Sequence, residues 1–420
     1  MWWPLLNAAH AAEVQGFAEV RAAYSVGADG VPWQMIERIR PELSADFSDR
    51  VRVSTTVEVA FSQGRRLQTE VQRTIDESDF GPLLELAGCE WPEPPKNEFL
   101  GIGDVQSYLR VERLYLDWYH PKFDLRVGRQ ALNWGSAVLI NPTDPFPEVL
   151  LTEPWRPRSG VNAVRMTFPV SDTSQLQVVG AMDDALKHGR LAGRGTVNLL
   201  DTDVSLVGAY RGDSRTGLLG LDVRGTFGVG FWFEGAVHVG GAKPYEELAV
   251  GVDYSVPVLE TWVFAAQYYR NGSGDANPTS AVSGSMNTIQ PPDCDIDEAE
   301  AMFEVAEPDP FAPFTSGIDY GLVQTSLRFT PEIAVSGMMF QNLRDGTGII
   351  VPVAQFKPLD WAEVSLSAQV PYRFGDGGEF KPSDEDLMLN AELPTGGSLH
   401  ADLSGLAPDA VVSMWVRANF

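Results

Sequence analysis

Nothing in this chain of 420 residues approaches the roughly 18 uninterrupted apolar residues that a membrane-spanning helix needs. Basic charge is scarce too: 31 Lys+Arg stand against 57 Asp+Glu, a formal net charge of -26. That balance argues against a nucleic-acid partner, because neutralising phosphates needs a basic surface. Ala/Leu/Glu/Lys runs at helical period are nearly missing, which removes the all-helical folds. The histidines are His10, His120, His188, His238 and His400, scattered without metal-ligand spacing, and there is no Gly-x-Ser-x-Gly elbow or phosphate-binding Gly-Lys-Ser/Thr loop. A non-enzyme is expected; a hydrolase assembled from distant strands is the remote alternative.

What is present suits an all-β protein: aromatics at 10%, 40 glycines and blocks of about ten residues that alternate polar and apolar. Val14, Gly16, Ala18, Val20, Ala22 and Tyr24 face one way, with Gln15, Glu19, Arg21 and Ser25 opposite. Ile39, Leu43, Ala45 and Phe47 oppose Arg38, Arg40, Glu42, Ser44 and Asp46; Val51, Val53, Thr55, Val57, Val59 and Phe61 oppose Arg52, Ser54, Thr56 and Glu58. A soluble sandwich alternates as well, but the connections separate the two readings. Tight turns are expected at Ser48 to Arg50, His120 to Lys122, Pro169 to Thr173, Gly225 to Gly228, Pro257 to Glu260, Thr330 to Pro331 and Pro358 to Asp360. Long loops fall near residues 62–104, 136–160, 271–317 and 375–408, after the third, fifth, thirteenth and seventeenth strands. All four follow odd strands and so lie on one side of the sheet.

That asymmetry, with a count closing at about 18 strands, predicts a transmembrane antiparallel up-and-down β-barrel in a bacterial outer membrane, with short periplasmic turns and long outer loops. Only helices and closed barrels satisfy every backbone polar group in lipid. Phe47, Trp118, Phe123, Phe168, Tyr254, Trp262, Phe329, Phe356 and Trp361 lie beside the short turns, where an interfacial girdle belongs. The last strand, DAVVSMWVRANF, puts Val412, Met414, Val416, Ala418 and the terminal Phe420 on one face. It is similar to the terminal-aromatic strands recognised by the barrel-assembly machinery, an expected partner during biogenesis. Residues 1–11 read as the tail of a secretion signal ending in Ala9-His10-Ala11, or else as an ordinary terminus; residues 12–420 read as one barrel.

If apolar faces meet lipid, polar faces meet the lumen, because a Lys or Arg at the lipid midplane costs about 2–4 kcal/mol. The expected lumen set holds Arg21, Arg38, Arg40, Arg52, Arg126, Arg129 and Arg165 beside Glu19, Glu42, Asp46, Glu58 and Asp124. It reads either as a ladder that attracts an anionic solute or, because acids nearly match arginines, as an ion-pair lattice that stiffens the wall. Strict alternation turns Arg129 toward lipid, so a bulge at or near Gly128 is expected to return it to the lumen. A barrel this wide leaves an aqueous channel unless loops fill it. Residues 136–160 are the candidate constriction: NPTDPF favours rigid proline turns, and Asp144, Glu148, Glu153, Arg156 and Arg158 supply charge. A loop that only caps the mouth is the alternative.

The run RVGRQ, then NWG, then NPTD and EPWRPRSGVNA, over Leu125 to Ala163, resembles porin-like outer-membrane families of Gram-negative bacteria and, more distantly, alginate-export-type porins. Gly128, Arg129, Gln130, Trp134 and Gly135 match the core of that pattern, which implies a barrel channel and no catalytic residue.

Between Arg270 and Arg328 there is no Lys or Arg, while acids crowd the loop. DCDIDEAEAMFE sets Asp293, Asp295, Asp297 and Glu304 at positions one, three, five and twelve of a calcium loop, but Glu298 stands where such a loop needs glycine. No cofactor is expected beyond a loosely held Ca²⁺ or Mg²⁺ at the acidic outer loops, next to lipid and lipopolysaccharide. Cys89 and Cys294 fall in two long loops, and in an oxidising compartment a disulfide between them would tie those loops together over the mouth. The sequence thus predicts an outer-membrane channel for hydrophilic solutes, with anionic ones favoured if the arginines act as a ladder rather than as a wall lattice. Its alternatives are a polysaccharide-export barrel working with periplasmic partners and a non-conducting surface-display or assembly barrel.

Overall fold

The computed structural model of the chain describes residues 11–27, 33–64, 106–147, 157–183, 188–212, 214–240, 243–276, 315–375, 377–381, 388–392, 398–402 and 408–420, with residues 74, 76–78, 82, 186, 278 and 383 between them. Period-two segments rich in Val, Leu, Thr and aromatics form strands throughout. The first five are β1 (Ala11–Val26), β2 (Trp33–Ser48), β3 (Val51–Gly64), β4 (Gln106–His120) and β5 (Phe123–Gln130). They continue as β6 (Val161–Ser171), β7 (Ser174–Met182), β8 (Gly189–Leu199), β9 (Thr202–Arg211), β10 (Thr216–Phe227), β11 (Val229–Val239), β12 (Tyr245–Val256) and β13 (Thr261–Asn271). The rest are β14 (Asp319–Arg328), β15 (Ile333–Asn342), β16 (Thr347–Leu359), β17 (Ala362–Arg373), the separate hairpin β18 (Met388–Glu392) and β19 (Ser398–Asp402), and β20 (Ala410–Asn419).

Eighteen of these make one antiparallel sheet in chain order, and β20 pairs with both β17 and β1. The register from Phe17↔Asn419 to Val26↔Ala410 closes the ring. Closure leaves no row of unpaired amides and carbonyls, the condition for crossing lipid with strands. Phe420 finishes the seam: its amide and carbonyl bond with Gly16 at 2.9 and 2.8 Å, and its ring lies where a Gly16 Cβ would stand.

The alternation separates two faces. Large apolar side chains such as Val20, Ile39, Leu116, Val164 and Leu206 are exposed on the outside, while Glu19, Arg21, Arg38, Arg40, Ser54, Thr56 and Glu58 are buried inside. Trp118, Tyr254, Phe329, Phe356 and Trp361 are exposed at the short-turn end, where Phe123 meets Trp118 edge to face and Phe168 at a tilt. Tyr24, Trp33, Tyr210 and Tyr268 mark the opposite edge of the outer face. The band between them is what a bilayer covers.

Connections on one side run to at most residues 257–260 or 329–332, and those on the other include 65–105, 131–160, 272–318 and 374–409. One tight turn has no sequence signal: Leu200 and Asp201 take φ of 53° and 61°, the left-handed geometry in which a hairpin normally places Asn-Gly. The bulge expected at Gly128 is absent. The register β4–β5 runs unbroken from His120↔Phe123 through Tyr115↔Gly128 to Leu114↔Arg129. Gly128 instead takes φ +125, with Leu114 O occupying the space a Cβ would need. Arg129 therefore shares the phase of Leu114 and Asn162 rather than that of Arg126, near the outer end of β5. The bulge in this wall lies one strand over: the β3–β4 register shifts between Thr56 and Val57, which places Glu112 as an extra residue of β4.

Candidate functional site

The inward face of the barrel is not uniform. From β6 to β14 many inward positions are small or apolar: Ala163, Val179, Ala181, Ala192, Val207, Leu218, Ala236, Ala249 and Leu322 are all buried. Such residues would not line water. What covers them is the β5–β6 connection, which turns into the barrel as soon as β5 ends. Leu132, Trp134 and Phe146 pack on the β6–β11 part of the wall, Trp134 and Phe146 edge to face at 5.9 Å. Ile140, with Ala137 and Leu139 beside it, packs against Ala249, Tyr269, Tyr320 and Phe340 of β12–β15.

Polar anchors fix this loop on the far wall. Glu234 of β11, fully buried, accepts hydrogen bonds from the amides of Ser136 (2.5 Å), Ala137 (2.6 Å) and Thr143 (3.2 Å) and from the Thr143 hydroxyl (2.7 Å). The Ser136 hydroxyl bonds Asp222 of β10, whose other oxygen accepts from Arg194 at 2.9 Å. Gln267 of β13 accepts from Val138 N (2.8 Å) and from Trp232 Nε1 (3.0 Å). Arg190 and Arg224 donate to the carbonyls of Pro145 and Ser136. Glycines provide the room: a Cβ on Gly220 would meet Thr143 Cγ2 at 2.8 Å, and one on Gly251 would run into the Trp232 ring. Gly135 takes φ +88 with Glu234 and Asn141 on top of it.

This changes the roles expected within the loop. Asp144 and Arg158 do not line a constriction. Asp144 is buried, pairs with Arg158 at 2.6 Å and accepts from Phe146 N at 3.0 Å, and burial pushes its carboxyl above the usual carboxylate range against the pull of that guanidinium. Arg158 also donates to the carbonyls of Leu132 and Phe146, so the pair braces the loop from within. Glu148, Glu153 and Arg156 lie outside the described residues, as do Cys89, Cys294, Asp293, Asp295, Asp297 and Glu304.

The opposite arc, β20 and β1–β6, carries the charge. Arg417 and Arg38 both bond Glu19, at 2.6 and 3.2 Å, and Arg38 and Arg40 both reach Glu58, at 3.6 and 3.2 Å. Arg52 pairs with Asp46 at 3.3 Å, and Arg21 donates to Ser413 at 3.2 Å. Arg126 holds Asp117 through two bonds, at 2.6 and 2.9 Å, and lies over the Tyr115 ring at 4.0 Å. The wall is largely an ion-pair lattice. Two guanidiniums stand outside it: Arg113 beside the Glu112 bulge and Arg165 across the register from Arg126 have no ion pair or hydrogen bond among the described residues. Glu42 and Asp124 share this inward phase, through Glu42↔Thr56 and Asp124↔Thr167.

Sequence alternation in the first three strands placed Glu19, Arg21, Arg38, Arg40, Arg52 and Glu58 on the inner face, and the structure puts them there. It passed over Arg113, Glu112 and Asp117, because the bulge in β4 shifts the phase partway along the strand. It also passed over Asp222, Glu234 and Gln267. Each is an acidic or amide side chain in an otherwise apolar inward run, and that contrast was the available signal.

No family model matches the chain. No curated protein sequence matches it either. Its likeness to known proteins is three-dimensional. The outer membrane protein opdK from Pseudomonas aeruginosa superposes with a TM-score of 0.54 at 10% identity, over 98% of this chain and 99% of that one. Acinetobacter baumannii OccAB4 gives 0.54 at 9% identity over 98% of each. The outer membrane protein OprD from Pseudomonas aeruginosa gives 0.52 at 7% identity, over 97% of this chain and 93% of that one. Closed ring, apolar outer band and this likeness together give the chain the fold of a bacterial outer-membrane porin, an 18-stranded antiparallel up-and-down barrel.

Proposed function

We propose that the protein is a porin-like channel of the bacterial outer membrane that passes hydrophilic solutes bearing an anionic group through a bore narrowed by residues 131–147. The observation that carries this reading is the division of the bore. The loop buries its apolar side on β6–β15, which leaves the charged arc of β20 and β1–β6 as the wall that solute meets. Transport on this reading is diffusion, with no covalent step, and selectivity follows from pore width and wall charge.

Arg113 and Arg165 support the anionic preference. Paired arginines present a nearly neutral surface to a passing ion, whereas a guanidinium without a carboxylate partner keeps donors for a carboxylate or phosphate. The preference should be weak, because Glu42 and Asp124 share the inner face and the whole chain carries -26. Planar-bilayer recording in a salt gradient tests it. Stepwise conductance with a small anion-selective reversal potential is expected, shifting toward cations in the double variant Arg113→Gln/Arg165→Gln. No steps from folded protein would overturn the channel reading, and an unchanged reversal potential would remove the two arginines from selectivity.

A further inference from the structure

On the lipid-facing side of β13–β15, just outside the aromatic edge, four polar side chains converge. Asp319 accepts from Arg270 NH1 at 3.1 Å, from Arg344 Nε at 2.7 Å and from the Tyr268 hydroxyl at 2.7 Å; Arg344 NH2 is 2.6 Å from the same carboxylate. The face is fixed by register. Tyr269, Tyr320 and Phe340 point inward and are buried, so Tyr268, Arg270 and Asp319 point out. Leu343, exposed, lies over Gly321 on that same side. Arg270 stands two residues beyond Tyr268, roughly 7 Å along the strand and, at a strand tilt of about 35–45°, about 5 Å farther from the membrane centre. If Tyr268 sits at the interface, both guanidiniums sit among headgroups.

Two cations share one anion here, so the cluster keeps a net positive charge in a chain of -26. Asp319 is mostly buried, at 15% side-chain exposure, while Arg270 and Arg344 remain 40% and 41% exposed. The carboxylate thus holds the two guanidiniums side by side, each still open to solvent on the side away from Asp319. Paired, preorganised guanidiniums suit the geometry of a phosphate. An arginine cluster on the lipid side, at headgroup depth and off the solute path, has no use in conduction.

We infer that Arg270 and Arg344, held by Asp319 and Tyr268, bind the phosphate of a glycolipid headgroup in the outer leaflet, with the acyl chains lying along Val323 and Leu343. Native mass spectrometry of the full chain in detergent tests this, using bis-phosphorylated lipid A, the same lipid dephosphorylated, and phosphatidylglycerol as a phosphodiester control. The protein should retain the phosphorylated lipid A about tenfold better than either comparator, and Arg270→Gln/Arg344→Gln should abolish that margin. Equal retention of phosphorylated and dephosphorylated lipid by the unaltered protein, a reading that needs no variant to fold, would overturn the site. So would a folded double variant, checked by heat-dependent gel mobility, that keeps the full margin. Neither result depends on whether the barrel conducts.

Discussion

Asp117 and Arg126 sit opposite each other on β4 and β5, and Arg165 takes the next inward position across the sheet. The doubly bonded pair leaves Arg165 as the positive charge at this level, and that predicts opposite effects of two small changes. Asp117→Asn removes the carboxylate and leaves Arg126 uncompensated, so anion permeability should rise; Arg165→Gln should lower it. Losing a buried partner for Arg126 also destabilises the fold by about 1–3 kcal/mol, readable as a lower urea midpoint of the barrel in lipid. Reversal potentials moving in the same direction for both variants would contradict this account of the wall. Arg38 and Arg40 lie in the interior of the lattice, and their charges are answered by Glu19 and Glu58.

At the scale of the element, the β5–β6 connection behaves as a piece of core. Its sequence is stiff because of Pro142, Pro145 and Pro147, and it carries Leu132, Trp134, Ile140 and Phe146, which a loop in water would expose. The barrel answers with small inward residues and with Gly220 and Gly251 where the loop and Trp232 come closest. Glu234 is the main fastening, with four hydrogen bonds to the loop. Glu234→Ala should leave the barrel closed but free the loop: single-channel conductance rises and broadens, and stability falls by about 2–4 kcal/mol as buried donors lose their acceptor. An unchanged, narrow conductance distribution would mean that hydrophobic packing alone holds the loop. A second inward anchor works similarly at the outer ends of β14–β17. There Glu379, buried, accepts from Ser316 N at 2.8 Å, the Tyr320 hydroxyl at 2.5 Å and Asn342 Nδ2 at 3.0 Å.

For the whole molecule, the strand periodicity and the spacing of long and short connections were legible because a barrel in lipid has few other ways to arrange polar and apolar residues. Strand number and the side bearing the long loops follow from those two signals. The outer face adds a test: Leu206 is 67% exposed in the middle of β9, and Leu206→Arg should cost about 2–4 kcal/mol in a bilayer. Urea unfolding in liposomes measures that cost; a substitution without effect would place Leu206 away from lipid. Less legible were the hairpin at Leu200–Asp201, which adopts left-handed geometry without glycine, and the phase of β4 and β5. There the sequence suggested a bulge at Gly128, but Gly128 absorbs its strain through backbone conformation, while the inserted residue is Glu112 on the neighbouring strand.

The amino-acid sequence by itself determined an all-β, up-and-down barrel with apolar residues outward and arginines and carboxylates inward in its first strands, because period-two patterning is local and lipid punishes any other arrangement. Only the tertiary structure decided what those inward charges do. Pairing Arg38 with Glu19 and Glu58, or sparing Arg113 and Arg165, depends on register between strands, and register depends on bulges that shift the phase without marking the sequence. The fate of the loop was decided there too. Asp144 and Arg158 look like constriction charges when read along the chain, yet in space they neutralise each other inside the loop, and the residues that seat it, Asp222, Glu234 and Gln267, come from strands about 80 to 130 residues away.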